Sequence, residues 1–363
     1  MKILVVNAGS SSLKLSVLAG EEVLSARSIE RWDGHSGIAP LRQLLDETGP
    51  VDAVGHRVVH GGPHRSGPAR IDAPLLVELS ALTELAPLHQ PRALVAIQAV
   101  RGLLPQVPEV ACFDTAFHHT LPTAAATYAL PAAWNEQWGL RRYGFHGLSH
   151  AYATRRAAEI VAREATDLRI VSCHLGAGAS LCAVVHGVSV DTTMGFTPLA
   201  GLVMATRSGS VDPGLLMWLL QTGRVPVDEL ADALEHKSGL AGLSGTSGDI
   251  RDVLFAREQH EPAAVLGYDV FLHRLAREVG AMAASAGGLD LLAFTGGIGE
   301  NAAVVRADLA ERLRYLGVTV DPVLNAAATM DADVSVGGAA VRTVVVRAGE
   351  DKQIVREVTA LLA

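Results

Sequence analysis

Two stretches of this chain share one plan, and the repeat limits the fold more than any other feature of the sequence. Each has an apolar strand, a turn of small residues and a second apolar strand: ILVVNAGSSSLKLSVL at 3–18 and IVSCHLGAGASLCAVVHG at 170–187. The two hairpins lie about 167 residues apart, which indicates an internal duplication with one α/β lobe around each hairpin. A length of 363 residues, 49% of them hydrophobic, is enough for two packed domains.

Short β runs that end in Gly or Ser clusters alternate with helical stretches along the whole chain, a pattern typical of an α/β fold. The predicted strands cover residues 3–6, 13–18, 53–59, 110–112, 169–174, 180–185, 291–295 and 341–346. The predicted helices include residues 91–104, 150–165, 213–222, 262–286, 302–316 and 352–361.

Three loops of glycine and small residues follow predicted strands: the turns of the two hairpins and FTGGIGEN at 294–301. Successive backbone N–H groups in such turns form concave anion sites that polyphosphate oxygens can approach. One such loop alone fits an ordinary tight hairpin equally well. Three in one chain indicate a nucleotide, although neither GxGxxG nor GxxxxGK[ST] is present.

One arginine, Arg207, stands among small, apolar and hydroxylated residues in DTTMGFTPLAGLVMATRSGSVDPG at 191–214. No acid nearer than Asp212 is available to pair with it locally, so we expect its planar fork of donors to bind a carboxylate or phosphate. The alternative is a solvated arginine in a surface turn.

Four further segments carry side chains suited to chemistry. Arg57 in HRVVHGG ends a strand as a second anion clamp, Asp114 in FDTAFHH follows a strand, His146 in RRYGFHGLSH precedes a helix, and GEDKQI supplies Glu350 and Asp351. Each has a structural alternative. Asp114 fits a helix N-cap, the last two acids fit a helix N-terminus, and His146 fits a packed core histidine.

Charge and composition exclude several classes. The formal net charge of −8 and the lack of a Lys/Arg-rich run argue against nucleic acid or an acidic membrane face as a partner. The first apolar run is too short for a signal peptide, and no run of about 18 apolar residues follows elsewhere. Cys112, Cys173 and Cys182 lack CxxC spacing and are expected to be reduced core thiols. A cytoplasmic protein is expected.

The motifs together carry a resemblance to the acetate kinases of the acetate and propionate kinase family. NAGSSSLK, GHRVVHGG, LAPLHQP, FDTAFH, RYGFHGLSH, HLGAGAS, MGFTPLAGL, ATRSGSVDPG, SGDIRD and FTGGIGEN stand in the family's order along nearly the whole chain. The resemblance implies an α/β fold of the duplicated two-lobe actin/sugar kinase/Hsp70 type (ribonuclease H-like) with a central nucleotide cleft. It places an N-terminal lobe at 1–118 plus 352–363 and a nucleotide-binding and dimerisation lobe at 119–351.

The activity implied by the resemblance is reversible phosphoryl transfer from ATP to acetate or propionate by a homodimer that uses Mg²⁺, with Mn²⁺ as the alternative metal. Arg57 and Arg207 would clamp the carboxylate and the migrating phosphoryl group, while His146 would donate to phosphoryl oxygens in the transition state. Asp114 and Glu350, with Asn7, would place the metal. Carried over by motif, the acyl pocket is Val59, Leu88, Phe145 and Pro198. The nucleotide would contact Asn7, Lys14, His174, Gly176, Ala177, Gly178, Asp249, Ile250, Arg251, Gly297, Ile298, Gly299 and Asn301, and His89 matches a further family histidine.

The sequence departs from the family pattern at several positions. Ala177 replaces an Asn in the HLGNG loop, Ala205 and Ser210 stand where Gly and Asp are usual, and the C-terminal pair of glutamates reads Glu350 then Asp351. The region from Gly20 to Val51 is shorter than usual. These changes leave pyrophosphate open as the phosphoryl donor.

Other functions remain open from the residues. A butyrate kinase would need a more open acyl pocket, and a sugar kinase would need a carboxylate base, which Asp114 could supply. Among non-catalytic members of the fold, a repressor would need a DNA-binding helix-turn-helix, and a filament protein or regulatory pseudoenzyme would have no reason to keep both arginines and His146.

Overall fold

The computed structural model describes residues 1–9, 12–30, 32, 38–87 and 89–363. Its strands are β1 (Lys2–Ala8), β2 (Ser12–Ala19), β3 (Glu22–Glu30), β4 (Ala53–Val58), β5 (Ala69–Arg70), β6 (Glu109–Phe113), β7 (Arg169–Leu175), β8 (Ala179–Val185), β9 (Val188–Thr192), β10 (Leu291–Thr295), β11 (Ala332–Asp333) and β12 (Arg342–Val345). Its α-helices are α1 (Ile38–Thr48), α2 (Ala73–Ala81), α3 (Gln90–Leu103), α4 (Thr123–Ala126), α5 (Ala132–Trp138), α6 (Gly147–Ile160), α7 (Pro213–Gln221), α8 (Val227–His236), α9 (Gly239–Ser244), α10 (Ile250–Glu258), α11 (Pro262–Ser285), α12 (Gly296–Asn301), α13 (Ala303–Arg312), α14 (Pro322–Ala327) and α15 (Glu350–Leu362).

The chain divides into two compact units. The first combines Met1–Thr120, Phe145–Tyr152 and Gly349–Ala363, and the second combines Leu121–Gly144 and Ala153–Ala348. The lobe boundaries implied by the resemblance, at 118/119 and 351/352, stay a prediction.

The two units repeat one sheet topology. The first sheet has the strand order β3-β2-β1-β4-β6-β5, and the second, read from its other end, has β9-β8-β7-β10-β12-β11. In each, the first hairpin is antiparallel, while β1–β4–β6 and β7–β10–β12 are parallel. The shared order confirms the duplication and the α/β class predicted from the two hairpins.

Helices cover both faces of the first sheet, which explains why β1 is apolar at nearly every position. Ile3 and Val5 pack with Ile354 and Val358 on one face, whereas alternate residues such as Leu4 pack in a separate cluster on the other. Apart from the buried pair of His56 and Glu109, both faces are filled mainly by apolar side chains, and a second group of polar residues lies where the parallel strands end.

The cysteines and helices agree with the expectations on composition. Cys112, Cys173 and Cys182 are all buried and form no disulfide within the described residues, and burial raises the pKa of the Cys173 thiol. In the part of the chain that the structure describes, no helix combines the length and the apolar character needed to cross a membrane.

Candidate active site

Three parallel strands of the first unit place polar side chains at one edge of the sheet. Asn7 of β1 is opposite Arg57 of β4, and Arg57 is opposite Cys112 of β6, so Asp114 comes just beyond the same row. Arg57 donates from Nε and Nη2 to Asp114 at 3.1 and 2.6 Å, and from Nη1 to Asn7 Oδ1 at 3.1 Å. The register therefore builds one cluster from residues far apart in the sequence.

The Arg57–Asp114 pair is a buried ion pair, so Asp114 is not a helix N-cap. The side chain of Asp114 is 2% exposed and that of Arg57 is 17% exposed. Burial alone would lower the pKa of Arg57, but the carboxylates of Asp114 and Glu350 outweigh it and raise that pKa above its ordinary value. Arg57 is thus a permanent cation whose inner edge is already occupied by a carboxylate.

The start of α15 adds two acids to the same cluster. Asn7 Nδ2 donates to Glu350 Oε2 at 3.3 Å, and Arg57 Nη1 lies 3.9 Å from the same oxygen. Ser16 Oγ donates to Asp351 Oδ2 at 2.6 Å, and burial raises the pKa of Asp351. These acids do more than favour a helix N-terminus, because they attach the first turn of α15 to β1 and β2.

His146 adopts a left-handed backbone conformation, with φ at 58°, directly before α6. The next residue, Gly147, donates its N–H to the Asp114 carbonyl at 2.8 Å, and a Cβ there would lie only 2.2 Å from that oxygen. Strained backbone of this kind concentrates at functional sites. The half-buried His146 is therefore fixed beside Asp114 by its backbone, rather than being a fully packed core histidine.

The acyl-pocket residues are distributed over both units. Val59 and Phe145 are buried in the first unit, Pro198 belongs to the second, and Leu88 lies outside the described residues. His60, which the sequence analysis did not single out, packs edge-on against Phe145 at a ring separation of 5.8 Å. Burial lowers the pKa of His60 to about 4, so it is neutral at pH 7 and its Nδ1 accepts from the Gly62 N–H.

Arg207 does have an acidic partner, contrary to the expectation of an unpaired guanidinium. Its Nε lies 3.3 Å from Glu235 Oε2, and its Nη1 donates to the Pro198 carbonyl at 3.3 Å. Glu235 is on α8, and α8 was absent from the predicted helices. The local sequence around Arg207 could not reveal this partner, since the pair forms only when α8 packs beside the loop.

The second unit contains a cavity of about 530 Å³ lined by its glycine-rich loops. The lining includes most of the residues assigned to the nucleotide by motif, namely Gly176, Ala177, Asp249, Ile250, Arg251, Gly297, Ile298 and Asn301. The Ala205 N–H donates to the Ala177 carbonyl at 3.1 Å, which ties two of these loops together. Arg251 pairs with Asp249 and lowers the pKa of that carboxyl to about 2.

Other predicted nucleotide residues do not line this cavity. Gly178 and Gly299 lie in its loops without forming the wall, and His174, one residue before the end of β7, is paired with Thr295 of β10. Asn7 and Lys14 belong to the first unit, where they face each other across β1 and β2.

A buried arginine that sequence reasoning missed supports the cavity wall. Arg306 is 1% exposed and donates from Nη1 to the carbonyls of Gly299 and Glu300 at 2.8 and 2.9 Å. Its Nε donates to Asn325 Oδ1 at 2.7 Å, and burial lowers the pKa of this guanidinium. Nothing in the polar, helical stretch around Arg306 distinguishes it from a surface arginine.

The donors for a divalent cation are limited. Within the described residues, no group of three or more His, Cys, Asp or Glu side chains could hold a metal by itself. A cation here would need further ligands such as phosphate oxygens, which is the usual arrangement for Mg²⁺ but not for a structural zinc.

Comparison with known proteins agrees with this architecture. A sequence model of the Acetokinase family matches residues 35–356. An acetate kinase from Synechococcus sp. (strain JA-2-3B'a(2-13)) is 46% identical over 97% of this chain and 96% of its own length. The crystal structure of Porphyromonas gingivalis acetate kinase superposes with a TM-score of 0.92 at 33% identity, covering 100% of both chains. A propionate kinase from Francisella tularensis subsp. tularensis SCHU S4 gives a TM-score of 0.90 at 34% identity over 98% of both chains.

Proposed function

The chain belongs to the acetokinase family, and on this premise we propose that it transfers the γ-phosphoryl group of ATP reversibly to the carboxylate of acetate. The observation that carries the proposal is the cluster of Arg57, Asp114, Asn7 and Glu350, where a permanent cation is held by oppositely charged and amide groups at the end of a parallel sheet. The outer edge of Arg57 suits a small anion once a bound cation offsets the charge of the two acids.

The reaction needs no general base, because acetate is already ionised at neutral pH. A carboxylate oxygen forms a bond to the γ-phosphorus, and the bond from that phosphorus to the bridging oxygen of ADP breaks. We assign the outer edge of Arg57 to the acceptor carboxylate, and Arg207 to the charge on the transferring group. His146 would donate to the phosphoryl oxygens. Each cation lowers the energy of the charge-rich transition state more than that of the reactants.

We assign the adenosine and phosphates of ATP to the 530 Å³ cavity of the second unit. Its volume is within the range of small-molecule sites, and its glycine-rich wall lets backbone N–H groups approach a polyphosphate. Asp249, Arg251, Gly297 and Ile298 would face the adenosine.

The residues of the first unit fit Mg²⁺, with Mn²⁺ as an alternative. Glu350 offers a carboxylate, and Asn7 and Asp114 offer further hard oxygens beside it. Because Arg57 already occupies both Asp114 oxygens, Glu350 would be the principal protein ligand and Asp114 would act through water. When bound with the phosphates of ATP, the cation supplies charge neutralisation.

The choice between acetate and propionate rests on one methylene. By motif, we assign Val59, Phe145 and Pro198 to the acyl group, and one methylene against apolar side chains changes the binding free energy by only about 1–3 kcal/mol. We propose acetate as the principal acceptor, with propionate accepted at a lower kcat/KM.

Trapping of acyl phosphates as hydroxamates tests this function directly. Purified protein with MgATP is expected to form acyl hydroxamate with acetate and propionate, but not with butyrate, and to leave glucose unphosphorylated. Product with pyrophosphate instead of MgATP would reassign the donor, phosphorylation of glucose would favour a sugar kinase, and no product with any pair would indicate a non-catalytic protein.

We also propose a cytoplasmic homodimer that associates through α7. This helix, PGLLMWLLQ, is apolar yet contains no buried residue, and Leu215, Met217 and Trp218 are 46%, 50% and 47% exposed. A second copy would cover the same surface by two-fold symmetry. Light scattering after gel filtration should give a dimer for the wild type and a monomer for Trp218→Asp. A Trp138→Asp variant, altered at another exposed tryptophan, should stay dimeric.

A further inference from the structure

The C-terminal turn of α8 is hydrogen-bonded to the residues on both sides of the proposed phosphoryl-binding arginine. Thr206 Oγ1 donates to the Glu235 carbonyl at 3.0 Å. The Ser208 N–H donates to the Leu234 carbonyl at 3.0 Å. The backbone of α8 and that of the arginine loop are thus held in register, which fixes where the side chain of Glu235 meets its neighbour.

The side chains of Glu235 and Arg207 are in contact. Glu235 Oε2 lies 3.3 Å from Arg207 Nε, and both side chains are mostly buried, at 26% and 20% exposed. On its other side, Arg207 Nη1 donates to the Pro198 carbonyl at 3.3 Å and lies 3.9 Å from Met204 Sδ. Two of the three guanidinium nitrogens are therefore held by this unit. Among the described residues, Nη2 has no hydrogen-bond partner.

We infer that Glu235 is a positioning residue for Arg207, which fixes the guanidinium by its Nε edge so that Nη2 is directed to an anion. The inference deepens the proposed function and rests on it. An arginine without such a tether must lose the freedom of several side-chain torsions when the anion binds or forms. A tethered guanidinium has already lost that freedom, and so stabilises developing charge without reorganisation.

Glu235 also carries a negative charge, which distinguishes positioning from a competing role. If the carboxylate mainly weakened the positive potential at Arg207, its removal would strengthen anion binding. If it positions Arg207, its removal weakens binding and turnover, and a neutral amide of the same length, whose oxygen can still face Nε, restores most of both.

Three single variants separate these roles. We expect Glu235→Ala to lower kcat for acetate phosphorylation about tenfold with the KM for ATP unchanged, whereas Glu235→Gln stays within about threefold of the wild type. Glu229→Gln, which alters an exposed acid on the same helix, should behave as the wild type. Faster turnover by Glu235→Ala, or the same loss in Glu235→Gln as in Glu235→Ala, would overturn the inference.

A double-mutant cycle tests whether Glu235 acts through Arg207. In an Arg207→Ala background, Glu235→Ala should cause no further loss of kcat, because the group that it positions is gone. The same tenfold loss in both backgrounds would indicate a general structural effect and would contradict the inference.

Acetyl phosphate binding by calorimetry separates this inference from the proposed function. A wild type that forms no acyl phosphate would contradict the proposed function alone. The dissociation constant for acetyl phosphate is still expected to rise several-fold in Glu235→Ala and to stay near the wild-type value in Glu235→Gln. No binding by the wild type, or equal binding by the wild type and Glu235→Ala, would overturn the inference.

Discussion

The two sheets share one topology, but the residues at the ends of their parallel strands differ in kind. In the first sheet, the last paired residues of β1 and β4 are Asn7 and Arg57, a polar pair joined to acids. At the matching place in the second sheet, the last paired residues of β7 and β10 are His174 and Thr295, and glycine-rich loops follow both strands. The interiors of β1 and β7 are mostly apolar and buried, so the duplication is preserved in these central strands while the strand ends have diverged.

On the proposed site assignments, this contrast corresponds to two ways of holding an anion on one scaffold. The first unit uses side-chain charge, which must be balanced by Asp114 and Glu350 when no ligand is bound. The second uses backbone N–H groups and open space, which need glycines but no balancing acids. Substitutions should therefore damage the first unit through unpaired charge and the second through backbone strain.

The largest expected effect is at Arg57. Arg57→Ala removes the proposed acceptor clamp and leaves the buried carboxylate of Asp114 without its cation. We expect kcat/KM for acetate to fall by about 100-fold or more, and the free energy of unfolding to fall by about 3–5 kcal/mol. Hydroxamate assays and urea denaturation at pH 7 measure the two losses separately.

The double variant Arg57→Ala/Asp114→Asn serves as the control for the charge argument. Removing both charges should recover much of the lost stability without restoring activity. A single variant as stable as the wild type would mean that the ion pair does not support the first unit, and the contrast with the second unit would lose its basis.

In the second unit the sharper test is a pair of neighbouring glycines. Gly296 has φ at 78°, and a Cβ there would lie 2.7 Å from the Leu175 carbonyl oxygen, whereas a Cβ on Gly297 would meet nothing within 4 Å. Gly296→Ala should cost about 1–2 kcal/mol from its conformation alone and raise the KM for ATP about tenfold. Gly297→Ala should keep the wild-type stability. Thermal unfolding and ATP titration of turnover check both, and equal stability of the two variants would contradict backbone strain as the cause.

A smaller effect is expected at Ala177 in the glycine-rich loop after β7, where the family pattern has an Asn. Ala177 is exposed on the cavity wall, so Ala177→Asn would add an amide next to the phosphates. One added hydrogen bond to a charged group contributes about 1.5–3 kcal/mol, which predicts a KM for ATP about 10- to 150-fold lower. Ala177→Leu, with similar bulk and no amide, should not lower it. An unchanged KM in Ala177→Asn would mean that the loop already satisfies the phosphates.

The sequence predicted those parts of the fold that are determined by residues close together in the chain. Short apolar runs predicted β10 with its observed ends, and most other core strands with ends within one or two residues of those observed. Strands β3, β5, β9 and β11 were not predicted. For β3 the reason lies in its sequence. EVLSARSIE is polar and mostly exposed, so it lacks the apolar alternation of a core strand.

The candidate site was harder, because its pairings are long-range. Arg57 and Asp114 were both singled out, but as an anion clamp and a metal or substrate ligand rather than as partners of each other. Their contact depends on the register of β4 with β6, which no local pattern specifies. Glu235 and Arg306 were missed for the same reason. In the sequence, each looks like an ordinary charged residue on the surface of a helix, and its partners become apparent only from the way that helix packs.

The smallest expected effect uses pH to compare the carboxyls of the two units. Burial raises the pKa of Glu357 in α15 above its ordinary value of 4.5, whereas Arg169 lowers the pKa of Asp290 in the second unit. A raised pKa in the folded state means that stability is greatest below the ordinary value and is lost as pH rises through the folded value. A lowered pKa has the opposite effect on stability, so its contribution is present above pH 3.8 and is lost as the pH falls.

Glu357→Gln, which stays neutral, should therefore stabilise the protein increasingly above pH 4.5, while Asp290→Asn should destabilise it at neutral pH. Urea denaturation of both variants from about pH 2 to 8 measures how their stability differences from the wild type change with pH, below pH 3.8 for Asp290→Asn and above pH 4.5 for Glu357→Gln. Changes of the same sign in the two variants would contradict the opposite pKa shifts.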